Sequence, residues 1–247
     1  MKASAIEFRL RMAINIVIVC LGFWAPWIEA WSIGRRIPLL VWLALELSRF
    51  GLVAFRVAVP LVIVTGALMA GAGAALRVWS TAYLGSGTVK HGQMKAGALL
   101  ADGPFRFVRN PLYLGLWLAF AALALLMPTS GALFAMAAVT IFLFRLILGE
   151  EAFLAGQLGA PYQDYLRTVA RLLPRLRTTV PATGRTPRWV QAVLSEISPI
   201  GVFVALAFFS WSYDIRLMAK VIIVSFGLSL VARAMLPETV KGFGRTE

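Results

Sequence analysis

Continuous apolar runs alternate with short, basic polar stretches along this chain. The runs fall at 12–28, 37–55, 57–76, 112–127, 131–148, 197–213 and 217–236. Most approach the ~20 residues a helix needs to cross a hydrocarbon core. They do not alternate residue by residue, as strands of a membrane barrel would. The pattern predicts an all-α, polytopic membrane helix bundle of about six to seven hydrophobic segments. Run 12–28 is long for a signal-peptide core, and Trp24, Pro26, Trp27 and Trp31 resemble an interfacial belt, so a retained helix is expected. Run 37–55 contains Glu46 and Arg49, spaced to pair on one helix face. It either spans the membrane or lies at its interface, and the side of the N-terminus follows from which. In run 57–76, Gly66 stacks with Ala70 and Ala67 with Gly71, a close-packing face.

Two polar blocks stand out. The region 77–111 carries Arg77, Lys90, His91, Lys95, Arg106 and Arg109, with Asp102 as its acid, which places it in the cytoplasm. Two short helices, 112–127 and 131–148, follow, joined by the uncharged Met127–Gly131 stretch expected on the translocated side. This hairpin returns a second block, 150–171, beside the first. In that block Phe153, Leu154 and Leu158 fall at helical spacing, Gly159 is placed to end a helix and Pro161 to start another. Tyr162, Tyr165, Leu166 and Val169 continue the apolar stripe, and Arg167 and Arg171 lie near head-group level. The organisation reads as N-terminal membrane helices (1–89), a core (90–175), and a linker with a C-terminal helix pair (176–247).

Charge and composition narrow the chemistry. The net charge of +13 would suggest nucleic acid in a soluble protein. Here the basic residues sit at the ends of apolar runs, where they match anionic head groups, and no basic stripe interleaves with aromatics. Membrane lipids, not nucleic acid, are the expected partners. A single cysteine, Cys20, excludes an internal disulfide and a cysteine-based zinc site, and the single histidine, His91, argues against a histidine-rich metal centre or a Ser-His-Asp triad.

The remaining candidates are carboxylates and basic residues. Glu150 and Glu151 are adjacent, so on a helix they point about 100° apart: one can face a pocket while the other meets a basic partner. A solvated helix start is the plain alternative. At matching membrane depth the first block supplies Arg109, Asn110 and Tyr113. Asn110 can cap a helix whose first residue is Pro111, and a helix N-terminus with unpaired N–H groups can also bind a carboxylate. Arg145 can attract an acidic substrate group or snorkel to the interface.

These residues resemble the isoprenylcysteine carboxyl methyltransferase family and its phospholipid methyltransferase relatives. The motifs are GPFRFVRNPLYLG (103–115), EEAFL (150–154) and GAPYQDYLRTVARLLP (159–174), in that order around a helical hairpin. The resemblance covers roughly 90–175. It implies an integral-membrane methyltransferase that uses S-adenosylmethionine, with a cofactor pocket open to the cytosol and a lipophilic substrate arriving from the bilayer. By position it assigns cofactor contacts to Gly97, Ala98, Leu99, Leu100, Phe105, Asn110, Pro111, Tyr113 and Glu150. In such a site Glu150 would pair with the ammonium or complement the sulfonium of the cofactor, an acid such as Glu151 could deprotonate an amine acceptor, and Arg145 or Arg109 would attract an acidic substrate group or a lipid phosphate. The chain departs from the family pattern where Asn110 replaces histidine, Phe105 replaces tyrosine, and the substrate-associated arginine position holds Leu146 beside Arg145. These departures bear on the acceptor more than on the cofactor.

Two other classes fit a small helical membrane protein. One is a reductase using NADPH, although no G-x-G-x-x-G stands at a strand–helix junction. The other is a non-catalytic scaffold or transporter, although the polar residues gather on one face rather than at the midplane. The composition, rich in Ala, Arg and Leu, points to a bacterial plasma membrane.

Overall fold

The structure is a computed structural model that describes residues 2–24, 37–84 and 101–235, apart from Leu176 and Thr179. It is all helical: α1 (Ala5–Arg9), α2 (Arg11–Phe23), α3 (Leu39–Arg49), α4 (Phe55–Leu84), α5 (Pro111–Ala124), α6 (Thr129–Leu158), α7 (Ala160–Thr168), α8 (Trp189–Ser195), α9 (Ile197–Ser212) and α10 (Ile215–Met235). A 3-10 turn at Gly103–Arg106 precedes α5. Among the described residues, α4, α6 and α10 are long and apolar enough to cross a membrane. The bent pair α8–α9, kinked by 68°, makes a fourth if it counts as one span. The chain is a multi-pass membrane protein; α2 and α5 are shorter apolar helices.

Local chemistry sets the helix ends. Ser4 and Glu7 form a reciprocal capping box on α1. Asp214 caps α10, its Oδ1 accepting from the backbone N–H of Arg216 and Leu217 at 2.8 and 3.0 Å. Gly159, with φ 63°, ends α6, and Pro161 lies in the first turn of α7.

Three boundaries differ from the pattern along the chain. Segment 37–55 forms only the 11-residue α3, about 16 Å long, which is too short to span. Its start instead hangs on the turn between α5 and α6: Leu39 N–H donates to the Met127 carbonyl at 2.8 Å and Leu40 N–H to that of Leu125 at 2.9 Å. The apolar run 57–76 belongs to a 30-residue helix that continues to Leu84, so Arg77 is helical and not part of a loop. The second hairpin helix is not short. It runs 30 residues through Glu150 and Glu151 to Leu158, because nothing between Gly149 and Gly159 breaks it. Trp27, Trp31, Lys90, His91, Lys95 and Gly97–Leu100 lie outside the described residues. Glu46 and Arg49 do pair, at 3.0 Å.

Two apolar clusters hold the bundle. Phe8, Ile18, Phe120, Met127, Val139 and Leu143 join α1, α2, α5 and α6. Val62, Ile63, Ala67, Leu206, Phe209 and Met218 join α4 to α9 and α10. Between them α4 crosses α5 on bare backbone. A Cβ on Gly73 would lie 2.6 Å from the Gly115 carbonyl oxygen, and one on Gly115 would lie 2.7 Å from that of Gly73 and 2.6 Å from Arg77 Cγ. Small residues let two membrane helices approach this closely.

Gly115→Val should therefore cost about 1–3 kcal/mol of stability through overpacking, read as a lower melting temperature in detergent. Gly156, with open space around its Cβ position, is the control: Gly156→Ala should match the parent or gain about 0.5–1 kcal/mol. Equal melting temperatures for all three proteins would refute this account of the crossing.

Candidate active site

The hairpin of α5 and α6 brings the two polar blocks together. The first block is pinned by the chain that follows α7. Arg109 N–H donates to the Ala170 carbonyl at 2.8 Å, and Arg175 N–H to the Phe107 carbonyl at 3.0 Å. The Tyr165 hydroxyl donates to the Phe105 carbonyl at 2.8 Å. Tyr165 and Tyr162 are buried, and burial raises both phenols well above their ordinary range, so they remain neutral. Phe105 is itself buried.

Asp102 anchors the same block to the linker. Its carboxylate accepts from the Thr183 hydroxyl and from the backbone N–H groups of Thr183, Gly184 and Arg185. Burial alone would raise its pKa. The hydrogen bonds from the Thr183 side chain and these three amides outweigh burial and hold it below the ordinary value.

Glu151 is 6% exposed and tied on several sides. Arg171 donates through Nε at 3.1 Å and Nη2 at 2.9 Å to its Oε2. Arg109 Nη1 lies 3.3 Å from its Oε1, and Asn110 Nδ2 donates to the same oxygen at 3.1 Å. Asn110 is the residue before α5, as expected, but its side chain does not cap the helix. It is committed to Glu151 and, at 3.3 Å, to the Arg171 carbonyl. Pro111 supplies the first helical residue.

Glu150, next along α6, has a different environment. Its Oε2 accepts from the Tyr113 hydroxyl at 2.9 Å. The charge of Arg11, whose guanidinium stacks 4.4 Å from the Phe8 ring, reaches both Glu150 and Tyr113.

Arg145 is placed elsewhere. It grips Glu7 of α1, with Nε and Nη2 donating to Oε1 at 3.2 and 2.9 Å and Nη2 also to Oε2 at 2.9 Å. Ala3 N–H donates to the Arg145 carbonyl at 3.1 Å, so the N-terminus lies along α6. The hydrogen bond from Arg145, with the Ser4 amide, lowers the Glu7 carboxyl to about 2. Neither Glu7 nor Arg11 was among the residues expected at the site. The Ser4-x-x-Glu7 capping signature is the one local sign of that helix.

Two clefts open along α4. An apolar one of about 670 Å³ includes Gly71, Ala75, Trp79, Trp189 and Phe203 in its lining. A more polar one of about 410 Å³ includes Trp79, Tyr83, Arg106 and Arg185. Neither is lined by Tyr113 or Glu150. The side chains around the carboxylates nonetheless suit a ligand with charges of both signs. Two guanidiniums, Arg109 and Arg171, oppose the one carboxylate of Glu151, and Arg109 Nε is buried with no hydrogen-bond partner among the described residues. Beside them Glu150 offers an acceptor to a cation. Among the described residues no cluster of His, Cys, Asp and Glu could hold a metal ion.

Residues 61–160 match the phospholipid methyltransferase family. A stretch of 72 residues is 42% identical to methanethiol S-methyltransferase 2 of Bradyrhizobium diazoefficiens, covering 29% of this chain and 27% of that protein. The chain thus aligns with about a quarter of this relative's length. No solved structure matches. Methyltransferases of this family use S-adenosylmethionine.

Two outcomes follow from the geometry. Glu151→Gln should destabilise the fold by about 3–5 kcal/mol, since it leaves the largely buried Arg109 guanidinium without its carboxylate, whereas Glu150→Gln should cost about 1 kcal/mol; thermal melts in detergent check the contrast. Asp102 has a lowered folded pKa, so its contribution is present above the unfolded value of about 3.9 and is lost as pH falls through the folded value. The stability gap between parent and Asp102→Asn should be constant above about pH 5 and close below about pH 4. A gap that stays unchanged well below pH 4 would contradict the assignment.

Proposed function

We propose that this chain, whose segment 61–160 matches the phospholipid methyltransferase family, is a membrane-embedded methyltransferase that uses S-adenosylmethionine to methylate a lipophilic acceptor. The observation that carries this reading is the division of labour between adjacent acids. Glu151 is spent on Arg109, Asn110 and Arg171, while among the described residues Glu150 accepts a hydrogen bond from the Tyr113 hydroxyl alone. S-adenosylmethionine, when bound, supplies an electrophilic methyl group on a sulfonium.

Glu150 complements the positive charge of the cofactor's sulfonium or ammonium, and Tyr113 orients that carboxylate. Arg109 and Arg171 provide the surplus positive charge for the cofactor's carboxylate. Gly97 to Leu100, which lie outside the described residues, together with Phe105 and Pro111 complete the proposed cofactor contacts, Phe105 as an apolar wall. The site's task is alignment and exclusion of water, since methyl transfer is an in-line displacement.

The acceptor is proposed to be an amine or thiol on a hydrophobic body rather than a carboxylate. Arg145, the arginine nearest the family's substrate position, is occupied by Glu7, and the relative named above acts on a thiol by its name. Either acceptor must lose a proton, and with Glu151 held by Arg109, Asn110 and Arg171 the proposed acceptor of that proton is Glu150 rather than Glu151. A phospholipid amine and a small apolar thiol are the acceptors to compare first. The proposed setting is a bacterial plasma membrane with the carboxylates toward the cytoplasm.

Calorimetry on the detergent-purified protein tests the reading. Saturable, micromolar binding of S-adenosylmethionine is expected, weakened about 10- to 100-fold by Glu150→Gln, the loss of one charge-assisted contact. A folded sample that binds NADPH but not S-adenosylmethionine would replace the reading with a reductase. Binding of neither, with added lipid, would leave a scaffold.

A further inference from the structure

A second buried charge cluster joins α4 to the kink between α8 and α9. Glu196, at the kink between α8 and α9, is completely buried. Arg77 of α4 donates to it through Nε at 2.7 Å and Nη2 at 3.2 Å, and the Thr81 hydroxyl donates at 2.8 Å. The third arm of the guanidinium goes elsewhere: Nη1 donates to the Leu112 carbonyl at 3.2 Å. That carbonyl belongs to the peptide group joining Leu112 to Tyr113, in the first turn of α5. The Gly73–Gly115 crossing brings α4 close enough for this reach, since a Cβ on Gly115 would meet Arg77 Cγ at 2.6 Å. Glu196 lies outside the segment matched by the family, which ends at residue 160.

We infer that Arg77 and Glu196 are a positioning pair: they fix the first turn of α5, and with it Tyr113, so that the C-terminal helices help to build the site. A charge buried in a membrane helix is costly and calls for a role beyond packing. Arginine suits this one because its planar fork can hold two carboxylate oxygens and a carbonyl at once. Lysine keeps the charge opposite Glu196 but lacks that geometry. The inference about Tyr113's orientation stands on the hydrogen bonds above. Its effect on cofactor binding rests on the proposed function.

Two variants separate positioning from plain structural support. Arg77→Lys removes the arm to Leu112 while retaining a cation, and Thr81→Val weakens the cluster while leaving that arm in place. Hydrogen–deuterium exchange is followed on the folded protein in detergent at the amides of Leu114 to Trp117. Arg77→Lys should speed exchange there about tenfold, and Thr81→Val should not. Unchanged exchange in Arg77→Lys, or equal acceleration in both variants, would overturn the proposal. Calorimetry with S-adenosylmethionine supplies the second readout: Arg77→Lys should weaken binding about tenfold and Thr81→Val less than twofold. Faster exchange with unaltered binding would overturn the link between the pair and the site. A parent protein that binds no S-adenosylmethionine counts against the proposed function, and the exchange result then decides the positioning role by itself.

Discussion

The carboxylate of Glu151 is the constraint on which the site depends. A buried charge is tolerated only when paired and hydrogen-bonded, and this one draws its partners from separate parts of the chain. Arg109 and Asn110 come from the segment before α5, and Arg171 from the segment after α7. Since Asn110 also donates to the Arg171 carbonyl, the two segments are tied to each other as well as to α6. The ladder from Arg109 to Ala170 and from Arg175 to Phe107 continues the same junction. Without Glu151, the largely buried Arg109 guanidinium would lose its carboxylate, and the half-exposed Arg171 would lose its tie to α6.

That commitment gives the neighbouring acid its character. Successive residues on a helix diverge by about 100°, so a side chain next to Glu151 must leave the ion cluster. Glu150 meets the Tyr113 hydroxyl instead. The separation requires α6 to remain helical through both residues, which it does for 30 residues without a break. One acid thus holds segments together while the other faces a phenol.

The bundle supports this junction from both sides. On one, α1 lies along α6 through the Glu7–Arg145 pair and the bond from Ala3 to the Arg145 carbonyl. On the other, the bare glycine crossing of α4 and α5 brings Arg77 to the Leu112 carbonyl. Both contacts use arginines that the sequence alone offers to very different partners: Arg145 to a substrate or the interface, Arg77 to a polar loop.

Much of this protein was legible before any coordinates. Apolar run lengths alone determine a helical membrane protein, because an unpaired backbone cannot cross a bilayer. The uncharged joint at Met127–Gly131 implies a hairpin, and that hairpin brings Tyr113 and Asn110 to Glu150 and Glu151. Gly159 and Pro161 mark the boundary of α6 and α7 because backbone geometry at those residues is a local property. Helix lengths were less legible: α3 is shorter, and α4 and α6 are longer, than their apolar stretches, since tertiary packing lets polar turns remain helical. The tertiary structure alone decided which acid binds which base. Asn110 became a strut instead of a cap, Arg145 went to Glu7, Arg171 to Glu151, and Arg77 to Glu196. Those pairings join residues far apart in the chain. Periodicity and caps report only on neighbours within a few turns, whereas a buried charge takes whichever partner the packed helices bring within hydrogen-bond reach.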